Sequence, residues 1–184
     1  MAKKVVFNSD IIIQKAFDFV IEKGIDSLSA RELAKYIGCS TQPLFKAFKN
    51  MDDIKDRLED KMDNYYINFA KDIISEEDYL FTKNYAYIIF ALKEPNLFKA
   101  LFLNYKKDNM IIEEWMNYHD NNETIEKIAK KMFIPNKQAR RLYRDVLLYS
   151  HGIACQLAYK NLLLSENDIK ILLKNIIRQM NQAI

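Results

Sequence analysis

Thr41 and Gln42 follow a Gly38-Cys39-Ser40 turn and open a short segment anchored by Leu44, Phe45 and Phe48. On a helix lying in a major groove, a glutamine pairs bidentately with adenine. A threonine there offers its hydroxyl, or touches a thymine methyl. Lys46 and Lys49 suit phosphate oxygens, and the N-terminus of the helix after Asn50 offers further N–H donors to a phosphate. Leu28 to Phe48 has the layout of a helix-turn-helix. An ordinary helical hairpin with a capped turn explains the same spacing, and these residues alone leave both readings open.

Other chemistry finds little support. His119 has Glu113, Glu114 and Asp120 nearby, and His151 stands alone. No serine or cysteine sits in a recognisable nucleophile elbow, and no metal-ligand spacing is present. Cys39 and Cys155 are too few for a disulfide framework or a four-thiolate zinc site. The expectation is no enzyme activity, no metal and no cofactor.

The elements that would position Thr41 and Gln42 are helical. The chain has 184 residues, 49% of them apolar, with only 3 Gly and 3 Pro. An all-β chain rich in tight turns usually needs more of both. A first helix begins near Ser9 or Asp10, with Ile12, Ile13, Ala16, Phe17 and Val20 on one face, and Gly24 ends it. Ser29 and Glu32 form a capping box that opens a second helix, which stops at Gly38. Ser40 is the expected cap of the third. Asn50 caps a long fourth helix through Ile54, Leu58, Met62, Tyr65, Phe69 and Ile73. Residues 79–103 read as helix interrupted by Pro95, and a further helix spans about 109–118. Asp120-Asn121-Asn122 reads as a loop before a helix over about 123–132. A long helix is expected over about 137–162, and Ser165 caps the last one.

Charge singles out the same region. Residues 1–50 hold 8 Lys/Arg and 5 Asp/Glu, whereas residues 51–184 hold 20 of each, so the whole net charge of +3 lies in the first quarter. An anionic partner there is consistent with that excess. No apolar run approaches the roughly 20 residues that span a bilayer, and no signal-peptide pattern follows Met1. The expectation is a reduced, cytoplasmic protein with no membrane partner.

A longer pattern now stands out. Ile12-Ile13-x-x-Ala16 is followed by Gly24 and by Leu28-Ser29-x-Arg31-x-Leu33-Ala34. Gly38-Cys39-Ser40, Leu44-Phe45-x-x-Phe48, Asn50 and Ile54 complete it. Residues 10–55 thereby resemble the DNA-binding region of the TetR/AcrR family of transcriptional regulators. The resemblance implies an all-α chain: a helix-turn-helix module over residues 1–50, then a larger effector-binding and dimerisation domain over residues 51–184. It implies double-stranded DNA with inverted half-sites as partner, a homodimer, and most often repression relieved by a ligand. The DNA-binding set is then Lys3, Lys4, Ser29, Arg31, Ser40, Thr41, Gln42, Phe45, Lys46 and Lys49. The family usually carries Tyr where Phe45 stands, an aromatic or His at Ala47, and Lys at Met51. Each lost phosphate contact flattens the log–log salt dependence by about 0.9.

Phe90-Ala91-x-x-x-Pro95-x-Leu97-Phe98-x-x-Leu101-Phe102 and His151-Gly152 resemble regulatory domains in part of this family, which implies a pocket for a small, largely apolar effector. Its candidate lining is Tyr87, Phe90, Phe102, Trp115, Met116, Tyr118, His119 and Tyr149. Small residues crowd the middle of the long helix, where Gly152 costs about 1 kcal/mol relative to alanine. Close approach of another helix accounts for that cost, so His151, Gly152, Cys155 and Tyr159, with Ile169, Leu173 and Ile176 of the last helix, form the candidate dimer interface. The alternatives are a helical adaptor that has lost DNA binding, or a DNA binder controlled by a protein partner.

Overall fold

The computed structural model describes residues 8–103, 112–117 and 119–182. These are α-helical apart from turns and one 3-10 turn at Ile25–Ser27, with no strand among the described residues. The chain forms two compact units. Residues 1–67 and 96–105 make the N-terminal unit; residues 68–95 and 106–184 make the C-terminal unit.

In the N-terminal unit, α1 (Ser9–Lys23) starts at Asn8, whose side chain accepts the Ile11 amide, and ends at Gly24 with φ 80°. A left-handed φ of this kind suits a residue without Cβ. Helix α2 (Ala30–Ile37) starts at Ser29, whose hydroxyl accepts the Glu32 amide, and ends at Gly38 with φ 81°. Helix α3 (Gln42–Ala47) follows, with Pro43 in its first turn. Helix α4 (Met51–Lys71) starts at Asn50, whose side chain accepts the Asp53 amide. Ile12, Val20, Leu33, Leu44, Ile54 and Leu58 are fully buried here. The Phe19 and Tyr36 rings meet edge to face, and Tyr36 donates to the Glu22 carboxylate at 2.7 Å, tying α1 to α2. That hydrogen bond, with burial, pushes the Tyr36 hydroxyl up to about 12.

Helix α6 (Pro95–Phe102) belongs to this unit although it lies beyond the long α4 in sequence. Asn96 donates to the Ile21 carbonyl at 2.8 Å and so satisfies one of the orphan acceptors at the end of α1. Leu97 and Phe98 are fully buried.

In the C-terminal unit, α5 (Tyr79–Lys93) packs against α9 (Asn136–Ala158). Helix α8 (His119–Met132) also packs against α9, and α10 (Glu166–Gln182) packs against both α5 and α9. Ile88, Ile89, Met116, Ile128, Leu142, Val146, Ile169 and Leu173 lie in its core. Asn84 is buried there too. Its amide donates to the Leu80 carbonyl, while its Oδ1 has no hydrogen-bond partner.

Three expectations are corrected. Ser40 is not the cap of α3: Thr41 takes that position, with helical φ and ψ and no side-chain cap bond. The Asp120-Asn121-Asn122 stretch is helical, not a loop. Asn122 donates to the Asn117 carbonyl and Tyr143 donates to Asn121, so tertiary contacts recruit turn-forming residues into the first turns of α8. The long helix stops at Ala158 rather than near residue 162. Lys160 adopts φ 58°, and the Lys160 and Asn161 amides bond back to the Leu157 and Gln156 carbonyls. Of the helix expected over about 109–118, Ile112–Met116 is helical (α7), while residues 109–111 and 118 lie outside the described residues.

Candidate nucleic-acid interface

Between α2 and α3 the chain turns in four residues, 38–41. The Gly38 amide reaches the Ala34 and Lys35 carbonyls, and the Cys39 amide reaches Ala34 as well. These bonds close the end of α2 and fix where α3 begins. Leu33 of α2, Leu44 of α3 and Phe48 just beyond it are buried. Because Leu44 and Phe48 are pinned inward, Ser40, Thr41 and Gln42 at the start of α3 are exposed. Lys46 and Lys49 are exposed, as is Phe45, at 48%. Thr41 spends no hydroxyl on capping, so the side chain facing outward keeps its donor and acceptor.

Ser29 and Arg31 are exposed at the start of α2. Ser29 already accepts the Glu32 amide, which limits what its oxygen can offer to another partner. Lys3 and Lys4 lie outside the described residues. The start of α4 is capped as expected. Asn50 occupies the Asp53 amide, Asp53 accepts the Lys49 amide at 3.0 Å, and Asp52 adds a second carboxylate. Acidic side chains at a helix N-terminus compete with a phosphate for the same partial positive charge.

The described residues proposed for an effector fall in both units. Tyr87 Oη lies 2.8 Å from His151 Nδ1 in the C-terminal unit. Phe90, fully buried, meets Phe69 edge to face, and Met116 is buried in the same unit. Tyr149 is half-buried. Phe102, by contrast, packs within the N-terminal unit, edge to face with Tyr66 and beside Phe98. Tyr118 and the side chains of Trp115 and His119 lie outside the described residues.

The residues proposed for a dimer interface also divide. Ile169 and Leu173 have no exposed surface and are part of the protomer's own core, so they cannot present a face to a second copy. Gly152 and Tyr159 are exposed, and His151, Cys155 and Ile176 are half-buried. Nothing lies within 4 Å of where a Cβ on Gly152 would stand. The outward residues missed from the sequence are Leu148 on α9 and Ile171 on α10, 46% and 50% exposed. Leu148 stands four residues before Gly152, on its face of α9, but a helix apolar over a broad arc does not say which part faces inward.

Among the described residues, no helix is long and apolar enough to cross a membrane. No family model matches the sequence, and no curated protein matches it. Solved structures do. Over 96% of its length the chain is similar to a variant of TetR from Acinetobacter baumannii AYE, solved in complex with minocycline. The match covers 98% of that chain, at 15% identity and a TM-score of 0.61. A transcriptional regulator from Rhodococcus sp. Rha1 matches over 96% of this chain and 97% of its own, at 15% identity and a TM-score of 0.58. The chain therefore has the all-α fold of TetR and of the Rhodococcus transcriptional regulator.

Proposed function

We propose that this chain is a DNA-binding transcriptional regulator, a homodimer acting in the cytoplasm as a repressor that a small, largely apolar effector releases from its operator. The observation that carries the DNA-binding part is the first turn of α3. Exposed Ser40, Thr41 and Gln42 lead into a helix that is pinned inward by buried Leu44 and by Phe48 just beyond it. Phosphate positioning falls to Arg31, Lys46 and Lys49, with Lys3 and Lys4 reaching backbone or minor groove. The carboxylates at the start of α4 disfavour a phosphate at that terminus, so a modest salt slope is expected.

Dimerisation uses the outer side of α9 and α10, where Leu148, Gly152, Tyr159 and Ile171 are exposed. A two-fold dimer matches inverted half-sites. The effector part is supported by the Acinetobacter neighbour, which was solved with minocycline. An effector shifts the population of DNA-competent protein only as far as its affinity differs between the two states. Helix α4 is the natural coupling element, since Met51–Ile67 lies in one unit and Asn68–Lys71 in the other.

The test is fluorescence anisotropy on DNA from upstream of the chain's own gene, against scrambled DNA, across a salt series. The expected outcome is preference for the upstream DNA with a negative log–log slope. Gln42→Ala should then reduce discrimination by about 1–3 kcal/mol while leaving the salt slope unchanged. Absence of any binding at low salt would replace this reading with the adaptor. Trp115 is the only tryptophan in the chain, so its fluorescence reports effector titrations directly.

A further inference from the structure

Phe45 stands within α3 with its ring exposed. Among the described residues of the N-terminal unit it is the only exposed aromatic side chain. The Phe45 amide bonds back to the Thr41 carbonyl at 3.3 Å, so the two residues lie one turn apart on one face. Gln42, three residues before Phe45, borders that face. Leu44 and Phe48 fill the inward side, which leaves the Phe45 ring outside the protomer's own core. The charges nearby are of one sign. Lys46 and Lys49 are exposed, and no acidic residue occurs from residue 33 to residue 51.

On the reading that α3 enters a major groove, we infer that Phe45 is a specificity-determining residue that reads thymine through its C5 methyl group. An apolar ring among cations fits a partner that is anionic and also presents apolar groups. Double-stranded DNA meets both requirements: its phosphates match Lys46 and Lys49, and the thymine methyl is an apolar group that lines the major groove.

The chemistry of the ring narrows the contact further. Phenylalanine carries no hydrogen-bond donor or acceptor, so Phe45 adds nothing to a phosphate oxygen or to a polar base edge. What it gains on docking is the removal of apolar surface from water, which a methyl group provides and a phosphate does not. A tyrosine in this place divides its contact between ring and hydroxyl. Phe45 has the ring alone, so the substitution that forfeits a phosphate contact leaves methyl readout as the contribution of this side chain. The selected half-site therefore contains thymine at the position that Phe45 covers, beside the base read by Gln42.

In the experiment, the full-length protein first selects its site from a random-sequence duplex library. Fluorescence anisotropy then compares the selected duplex with the same duplex carrying uracil for every thymine. That exchange deletes the C5 methyl and keeps every donor and acceptor on the base edges. The wild-type protein, which needs no variant to fold, should bind the uracil duplex about fourfold more weakly for each contacted methyl, the equivalent of about 0.8 kcal/mol. Phe45→Ala should lose at least as much on the thymine duplex and show a smaller uracil penalty. Its salt slope should match the wild type, because no phosphate contact leaves with the ring. Equal wild-type affinity for the two duplexes, or a uracil penalty undiminished in Phe45→Ala, would overturn the inference and leave the regulator reading standing. Failure to select or bind any duplex at low salt would overturn the regulator reading itself, and the inference with it.

Discussion

The helix ends of the N-terminal unit differ from those of the C-terminal unit in where their instructions come from. Helix α1 runs from Asn8 to Gly24, α2 from Ser29 to Gly38, and α4 starts at Asn50, each bounded by a residue suited to that position. In the C-terminal unit, α9 starts after Pro135 with no side-chain cap bond and ends with Lys160 in a left-handed conformation. Helix α10 begins at the reciprocal Ser165–Asp168 bonds, a local signal like those of the N-terminal unit. The lesson is that a small module with a thin core relies on local stops. A larger one overrides unfavourable ends through packing, because buried apolar area outweighs a cap worth about 1 kcal/mol.

The contrast breaks most visibly if the core of the small unit is emptied. Leu44→Ala removes a fully buried side chain from α3 and should cost about 3 kcal/mol. Region-resolved hydrogen exchange should then show lost protection over α1–α3, with α5 and α9 still protected. Uniform loss across both units would mean that they do not unfold separately.

A paired substitution at two left-handed helix ends sharpens it. Gly38→Ala places a Cβ at φ 81° and should destabilise by about 1–2 kcal/mol. Lys160→Gly relieves φ 58° and should stabilise by about 0.5–1 kcal/mol. Opposite shifts in urea midpoint are the expected result, and equal signs would remove the distinction drawn between the units.

Asn50→Ala should cost about 1 kcal/mol through loss of the bond to the Asp53 amide, read from the same urea curves. Asn84→Leu should change stability by less than about 1 kcal/mol. The buried Oδ1 it removes has no partner, and the bond it loses is a single one to Leu80.

The smallest effect is a pH dependence. Burial depresses the His151 proton affinity below the ordinary imidazole value. As pH falls through that ordinary range, the unfolded chain takes up a proton that the folded chain does not, so stability declines toward acid. His151→Gln should flatten that part of the stability–pH curve.

Legibility followed the same division. Asn50, Ser165 and Ser29 as caps, and Gly24 and Gly38 as stops, were all readable, since each acts within four residues of itself. Thr41 in place of Ser40 was not, because burial of Leu44 and Phe48, rather than a cap bond, sets where α3 begins. The helical Asp120-Asn121-Asn122 stretch depends on Tyr143, more than twenty residues away. Of the candidate interface residues, Ile169, Leu173 and Ile176 share one helical stripe in sequence. Only packing separated them: Ile169 and Leu173 have no exposed surface, whereas Ile176 is half-buried.

By itself, then, the sequence determined the helical class, most element boundaries in the first fifty residues and the outward place of Thr41 and Gln42. Each follows from periodicity, from a cap, or from a residue that tolerates positive φ. The tertiary structure decided that α6 joins the N-terminal unit through Asn96 and Ile21, seventy-five residues apart. It also decided that Phe102 and Phe90 serve different cores, and that His151 lies between Tyr87 and Cys155. Contacts between residues distant along the chain arise from packing, and local spacing carries no record of the partner.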